Sequence, residues 1–111
     1  MLAATEIDLD TMRASASRTC GVLKTLSNPD RLLLLCQISQ GERCVSDLEE
    51  ALEIHQPTLS QQLGVLRDEG LVSTRRDGKR IYYSMASKEA LAIMQVLYEQ
   101  FCGAKAKRAK R

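Results

Sequence analysis

The stretch SDLEEALEIHQPTLSQQLGVLRDEG, residues 46–70, contains two short helical patterns separated by a tight polar turn. Ser46 followed by Glu49 has the form of a capping box, which predicts the start of a helix. After the turn, Pro57 suits the first position of a second helix, and Gly70 suits its end. Two helices of about seven and about thirteen residues, joined in this way, predict a helix-turn-helix.

Two further helices are predicted before this unit. Apolar residues recur at helical spacing on one side of residues 9–26. In the next segment, SNPDRLLLLCQIS, Asn28 can cap a second helix and Pro29 fits its first position. Gly41 is a typical signal for the end of that helix.

The segment that follows the helix-turn-helix is predicted to be a β-hairpin. LVSTRR and KRIYYSM are rich in β-branched and aromatic residues, and Asp77-Gly78 between them is a preferred pair for a two-residue turn. A last helix is predicted from Ser87 and should end before Gly103. The predicted fold is therefore mainly α with a small β-hairpin: a winged helix-turn-helix, in the order ααααββα, with end helices available for dimer formation.

Length and composition favour a single domain. A chain of 111 residues, 44% of them hydrophobic, can close one modest core. We predict one domain over residues 1–104, completed by a second subunit, and a flexible basic tail over residues 105–111. No secretory leader or membrane-length apolar run is seen, so a cytoplasmic protein without membrane contact is expected.

Several function classes are disfavoured by the residues present. No Cys/His couple, acidic pair or glycine-rich phosphate loop stands out, and none of the four cysteines forms a CxxC pair. An enzyme or a bound cofactor is therefore not expected. The tail carries five basic residues although the whole chain has a net charge of only +2, which suggests contact with a polyanion.

The second helix of the helix-turn-helix has a polar side suited to DNA. If its leucines face inward, Gln61 points away from the core. Glutamine can bond to base edges, and the hydroxyls of Ser and Thr reach bases or phosphates. A solvated polar face is the alternative, which the composition of the helix alone favours. The candidate DNA-contacting residues in this segment are Gln56, Thr58, Ser60, Gln61 and Gln62.

Four basic residues cluster at the predicted hairpin tip: Arg75, Arg76, Lys79 and Arg80. If Arg75 lies opposite Arg80, the two charges repel each other unless an anion is near them. Phosphates or a narrow minor groove would supply that anion. Protection of a sheet edge against pairing with another strand is the alternative reason for such charges. Together with the preceding helix, the cluster predicts a wing that contacts double-stranded DNA.

The pieces LSNPDRLLLL, QPTLSQQLGVLRDEGLV and DGKRIYYSM resemble the ArsR family of dimeric bacterial winged-helix repressors. The resemblance implies that the first and last helices form the dimer interface, and that the helix from Pro57 reads the major groove. It also implies an inverted-repeat operator, since a two-fold dimer reads two equivalent half-sites. A winged-helix module that binds only other proteins is a rival interpretation.

Both metal sites common in the family are incomplete in this sequence. The CxC pair that opens the third helix of arsenic and cadmium sensors is represented by Cys44-Val45-Ser46. The predicted last helix contains no histidine, and the only histidine, His55, lies in the turn of the helix-turn-helix. No metal site is therefore predicted. A repressor responsive to arsenite or cadmium through a non-standard cysteine site is the alternative.

Cys36 and Cys102 resemble the thiol pair of the sulfide- and redox-responsive branch of the family, which includes BigR and SqrR. In that branch the two cysteines join through a disulfide or polysulfide bridge, and DNA binding weakens. The resemblance therefore implies that Cys36 and Cys102 sense reactive sulfur species or an oxidant as inducer. A small buried hydrophobic residue is the alternative reading of each. Cys20 and Cys44 fall outside this pair.

Overall fold

The computed structural model describes residues 6–109, with side chains described as far as Gly103. Within that part, five α-helices and three β-strands form a winged helix-turn-helix. Their bounds are α1 Leu9–Leu26, α2 Pro29–Ser39, β1 Arg43–Cys44, α3 Val45–Leu52, α4 Thr58–Asp68, β2 Val72–Asp77, β3 Arg80–Met85 and α5 Lys88–Ala109.

The hairpin is part of a three-stranded antiparallel sheet in which β3 lies between β1 and β2. The sequence prediction missed β1, because two residues are too few to show an alternating pattern. Asp77 pairs with Arg80, so the turn consists of Gly78 and Lys79, one residue later than predicted. Gly78 has a φ of 65°, as the first central position of a type II′ turn requires.

The start of α2 agrees with the prediction. The side-chain oxygen of Asn28 accepts a hydrogen bond from the backbone N of Arg31 at 3.1 Å, and Pro29 occupies the first turn. Pro29 has no N–H to leave unsatisfied, and Asn28 satisfies one of the remaining free N–H groups. These two residues therefore fix the start of α2 directly after the turn that follows α1.

The start of α3 differs from the prediction. The cap is Cys44 rather than Ser46, and the carboxylate of Asp47 accepts a hydrogen bond from the Cys44 backbone N at 3.2 Å. Ser46 instead bonds through its hydroxyl to the Cys44 sulfur, and Glu49 lies 3.2 Å from Nδ1 of His55. Pairing of β1 with β3 keeps the backbone extended as far as Cys44, so the helix begins directly after it.

Helix α2 lies at the centre of the core and contacts α1, α3, α4, α5 and β3. Leu34 and Leu35 of α2 are fully buried. The predicted inward residues of α4 are buried against the same core: Leu59, Leu63 and Leu66. This packing directs the opposite side of α4 toward solvent.

Helix α5 is longer than predicted. It does not end before Gly103 but continues to Ala109. Residues 110 and 111 lie outside the described residues, as do the side chains from residue 104 onward. The proposed boundary after residue 104 and the flexibility of the basic tail therefore stay predictions. In the part of the chain that is described, no helix is both long enough and apolar enough to span a membrane.

The outer faces of α1 and α5 expose large apolar side chains. Phe101 of α5 is 82% exposed. The others on or beside these two helices are Ile7, Leu9, Met12, Leu23, Val96 and Tyr98. Large apolar side chains exposed on helices in this number are typical of surfaces that another protein covers.

Candidate nucleic-acid interface and thiol pair

The solvent side of α4 carries Ser60 and Gln61, both exposed, while Thr58 is half-buried. Gln56 precedes the helix, and its side-chain oxygen accepts a hydrogen bond from the backbone N of Ser60 at 3.1 Å. That bond satisfies one of the free N–H groups at the start of α4. Gln56 therefore supports the helix, and Ser60 and Gln61 present free side-chain polar groups on its solvent side.

Gln62 has a partner inside the protein. It is half-buried, and its side-chain oxygen accepts a hydrogen bond from Nη1 of Arg31 at 3.0 Å. Arg31 also donates from Nε to the carbonyl oxygen of Thr25 at 2.7 Å, so it ties the end of α1 to α4. Sequence reasoning missed Arg31. The sequence feature that could have identified Arg31 is a positive charge in the first turn of α2, where the helix dipole disfavours positive charge.

Arg75 of the wing also has partners inside the protein. Its Nε and Nη2 donate to the Glu42 carboxylate at 2.8 and 2.7 Å, and its guanidinium carbon lies 4.5 Å from the centre of the Tyr82 ring. The expected opposition of Arg75 and Arg80 is wrong, because Arg75 faces Tyr82 and Arg80 pairs with Asp77. The one-residue shift of the turn changes every pair along the hairpin. Repulsion between these two arginines therefore gives no reason for an anion.

The four predicted wing cations are all exposed, but they fall into two groups. Arg75 and Arg80 lie beside Tyr82 on one face of the sheet, and the Tyr82 side chain is the main cause that raises the pKa of Arg80. Lys79 lies in the turn, and Arg76 projects to the other face. Arg76 and Lys79 therefore lie apart from the group formed by Arg75, Tyr82 and Arg80.

Cys36 lies on α2 and Cys102 lies on α5, and these two helices are in contact. Both thiols are free; Cys36 is half-buried and Cys102 is exposed. Burial raises the pKa of Cys36, and charge repulsion from Cys102 raises it further. The other two cysteines are in different settings, with Cys20 exposed on α1 and Cys44 buried at the start of α3.

The extension of α5 also changes the surroundings of Cys102. The dipole of a helix carboxy terminus disfavours a thiolate, but its effect falls off within the last turn. Because α5 runs on to Ala109, Cys102 lies about 10 Å before the end of the helix at a rise of 1.5 Å per residue. Cys102 therefore lies outside the last turn of α5.

The two thiols should differ in reactivity. In the reduced protein near neutral pH, we expect iodoacetamide to modify Cys102 faster than Cys36, because Cys102 is exposed, only the thiolate reacts, and burial raises the pKa of Cys36. The difference should shrink as the pH rises toward the pKa of Cys36. Mass spectrometry of the two peptides over time measures both rates.

A matched variant separates the two causes of the raised pKa. In Cys102→Ser the repulsion disappears and burial remains, so Cys36 should react faster than in the parent protein but still more slowly than Cys102 does there. Equal rates for the two cysteines of the parent would contradict this assignment.

Metal ligands are not grouped in the described side chains. Among those residues, no set of three or more His, Cys, Asp and Glu side chains is arranged to hold a metal ion. Where the metal sensors have their CxC pair, the Cys44 sulfur and the Ser46 hydroxyl lie 3.2 Å apart and bond to each other. No described cluster therefore favours the soft-metal alternative.

Comparison with known proteins agrees with this architecture. A sequence model of the bacterial regulatory protein, arsR family, matches residues 28–74. Over 97 residues the chain is 50% identical to the biofilm growth-associated repressor of Agrobacterium fabrum, covering 87% of this chain and 83% of that protein. The chain belongs to the ArsR family. Its ArsR relatives are transcriptional regulators and not enzymes.

Two solved ArsR-like structures show the same fold. The crystal structure of the transcriptional repressor BigR from Xylella fastidiosa is 45% identical, with a TM-score of 0.82, covering 86% of this chain and 98% of that one. A homodimeric winged helix-turn-helix domain from Mycobacterium bovis, described as a possible ArsR-family regulator, is 29% identical with a TM-score of 0.70. It covers 96% of this chain and 94% of that one. The predicted ArsR fold is confirmed.

Proposed function

We propose that this ArsR protein is a homodimeric, cytoplasmic transcriptional repressor that releases its operator when reactive sulfur species or an oxidant link Cys36 to Cys102. The observation that carries the sensing role is that Cys36 and Cys102 are free thiols on two helices in contact, α2 and α5. The raised pKa of Cys36, caused by burial and by repulsion from Cys102, supports it. The repressor role is supported by the Agrobacterium relative and by the likeness to BigR.

The homodimer is supported by the exposed apolar faces of α1 and α5. Phe101, Tyr98 and Leu9 are each more than half exposed, and a second subunit would remove them from water. The Mycobacterium relative of the same fold is a homodimer. Two-fold symmetry places two α4 helices side by side, so the operator is an inverted repeat with half-sites about one helical turn, or a multiple, apart.

Contact with DNA divides between α4 and the wing. Gln61 and Ser60 face solvent on α4 and suit the base edges of the major groove. Arg76 and Lys79 suit phosphates beside it. Thr58 and Gln56 flank the same surface. Gln62 contributes through its amide nitrogen, since its oxygen is bonded to Arg31.

The sulfur chemistry begins at Cys102, which is exposed, whereas Cys36 is half-buried with a raised pKa. The Cys102 thiolate attacks a polysulfide, an S–S bond breaks, and the shorter polysulfide leaves with the electron pair. Cys36 then loses its proton to solvent and attacks the sulfur chain on Cys102, and hydrosulfide leaves. The two thiols are oxidised and the polysulfide is reduced, which leaves a disulfide or a longer bridge.

A bridge between α2 and α5 can act directly on α4, the helix proposed to contact DNA, because α2 packs against α4. A tenfold to hundredfold loss of DNA affinity corresponds to about 1.4–2.8 kcal/mol, which is within the usual range of allosteric coupling. A small rotation of each α4 relative to the two-fold axis is enough, since both half-sites must be met at once.

The test is binding to a duplex that the reduced protein selects from a random-sequence pool. The reduced parent should bind it with an affinity that falls steeply with salt, and polysulfide should weaken binding by about tenfold to a hundredfold. Cys36→Ser and Cys102→Ser should bind the duplex normally and keep it after treatment. Mass spectrometry should show Cys36 joined to Cys102, with the number of sulfur atoms in the bridge.

Cys20→Ser is the matched control, because Cys20 is another exposed helical thiol, and it should release DNA as the parent does. Release by either Cys36→Ser or Cys102→Ser would exclude the paired-thiol mechanism. Release by arsenite or cadmium at low concentration would favour the soft-metal alternative. Failure of the reduced parent to bind any duplex would exclude the repressor role itself.

A further inference from the structure

Glu42 joins the wing to the segment that follows α2. Its carboxylate accepts two hydrogen bonds from the Arg75 guanidinium, at 2.7 and 2.8 Å, and one from the Ser84 hydroxyl, at 3.2 Å. Arg75 lies on β2 and Ser84 on β3. One side chain from outside the wing therefore holds both strands of the wing.

The orientation of Arg75 follows from the sheet. Arg75 and Tyr82 are cross-strand partners, so their side chains share a face, and the guanidinium lies over the Tyr82 ring. Because β3 separates β2 from β1, the Arg75 side chain crosses the central strand to reach Glu42 beside β1. Two parallel hydrogen bonds and the ring fix both the plane and the direction of the guanidinium.

The charges of the pair reinforce this geometry. The Arg75 guanidinium holds the pKa of Glu42 below its usual value, and Glu42 raises the pKa of Arg75. The two side chains are 54% and 33% exposed respectively, so water screens their attraction and the pair adds little to folding stability. Its main effect is to fix where the wing lies.

We propose that Glu42 is a positioning residue for the wing and that Arg75 acts on DNA binding through Glu42 rather than as a phosphate ligand. This inference rests on the proposed DNA-binding function. The inference also extends the proposed function, because Glu42 follows closely on the end of α2 at Ser39. A displacement of α2, the helix that carries Cys36, therefore moves the attachment point of the wing.

Transfer of Arg75 to a phosphate would be unfavourable. The two hydrogen bonds to Glu42 would only be exchanged for bonds to the phosphate, while the contact with Tyr82 would be lost. The freed Glu42 carboxylate would then lie close to the DNA backbone and repel it. Arg76 and Lys79 have no such conflict and remain the phosphate ligands of the wing.

The decisive experiment compares Glu42→Gln with the parent in the reduced state, on the duplex selected by the parent and over a range of salt. If Glu42 positions the wing, Glu42→Gln should bind about three- to tenfold more weakly, with little change in salt slope. If Glu42 only masks a phosphate-binding Arg75, the variant should bind more tightly, with a slope steeper by about 0.9. Tighter or unchanged binding would overturn the inference.

Two further variants make the comparison specific. Glu50→Gln removes one exposed acid from α3 and reports the general effect of losing a negative charge near DNA. Arg75→Lys keeps the charge but not the planar fork, so it should lose as much affinity as Arg75→Gln, whereas a phosphate ligand would tolerate lysine. Glu42→Gln combined with Arg75→Gln should be no weaker than either single variant, because both remove the same interaction.

The outcomes separate this inference from the function on which it rests. Duplex binding by the parent tests the repressor role, and the comparison with Glu42→Gln tests only the role of Glu42. Thermal unfolding of each variant should stay close to that of the parent, since the pair is exposed.

Discussion

Replacement of Leu63 by alanine should lower the free energy of unfolding by about 2–5 kcal/mol. Leu63 is only 1% exposed and lies on the side of α4 that packs into the core shared with α2. Alanine removes buried methyl and methylene groups and leaves a space that neighbouring leucines fill only in part. The same loss of packing should also loosen the attachment of α4, the proposed recognition helix, to α2.

The measurement is urea unfolding followed by circular dichroism at one fixed protein concentration, since the stability of a dimer depends on concentration. Arg67→Ala is the matched control, because Arg67 is exposed on the same helix, and its effect should stay within about 0.5 kcal/mol. A Leu63→Ala variant no less stable than Arg67→Ala would show that this face of α4 is not packed as described.

Replacement of Gln61 by alanine should weaken binding to the selected duplex by about fivefold to 150-fold, which corresponds to the loss of one bidentate base contact worth about 1–3 kcal/mol. Gln61 is exposed and uncharged, so folding, binding to an unrelated duplex and the salt slope should all stay unchanged. Fluorescence anisotropy with the two duplexes over a range of salt measures the affinity for each duplex and the salt slope.

Arg76→Gln gives the contrasting pattern. A phosphate contact carries no sequence information, so this variant should lose affinity for both duplexes equally, and its salt slope should fall by about 0.9. A Gln61→Ala variant that loses affinity for both duplexes equally would mean that Gln61 does not read bases. No loss at all would place the reading surface elsewhere.

The sequence predicted the helices well because their signals are local. Asn28 and Pro29 specify the start of α2 within a few residues, and the spacing of the α4 leucines specifies its buried side. The predicted start of α3 was wrong because a partner that is distant in sequence decides where the helix begins. Cys44 pairs with Tyr82, and the extended backbone that this pairing imposes moves the helix cap from Ser46 to Cys44.

The chemistry of the wing was predicted only in part. The basic residues were identified, but their partners depend on the hairpin register, and a shift of one residue changes which side chains face each other. The bond between Arg75 and Glu42 joins residues 33 positions apart, so no local pattern encodes it. The thiol pair came from family resemblance, and the structure adds the difference in environment between Cys36 and Cys102.

The central position of α2 has a consequence for the order of events at the thiols. Segments that open easily, by local unfolding, have few packed neighbours, whereas α2 touches four other helices and the sheet. Opening of α2 would dismantle most of the domain, so its amide hydrogens should exchange only as fast as the whole protein unfolds. Fluctuation therefore adds little to the partial exposure of Cys36, and a large oxidant first becomes attached at the exposed Cys102.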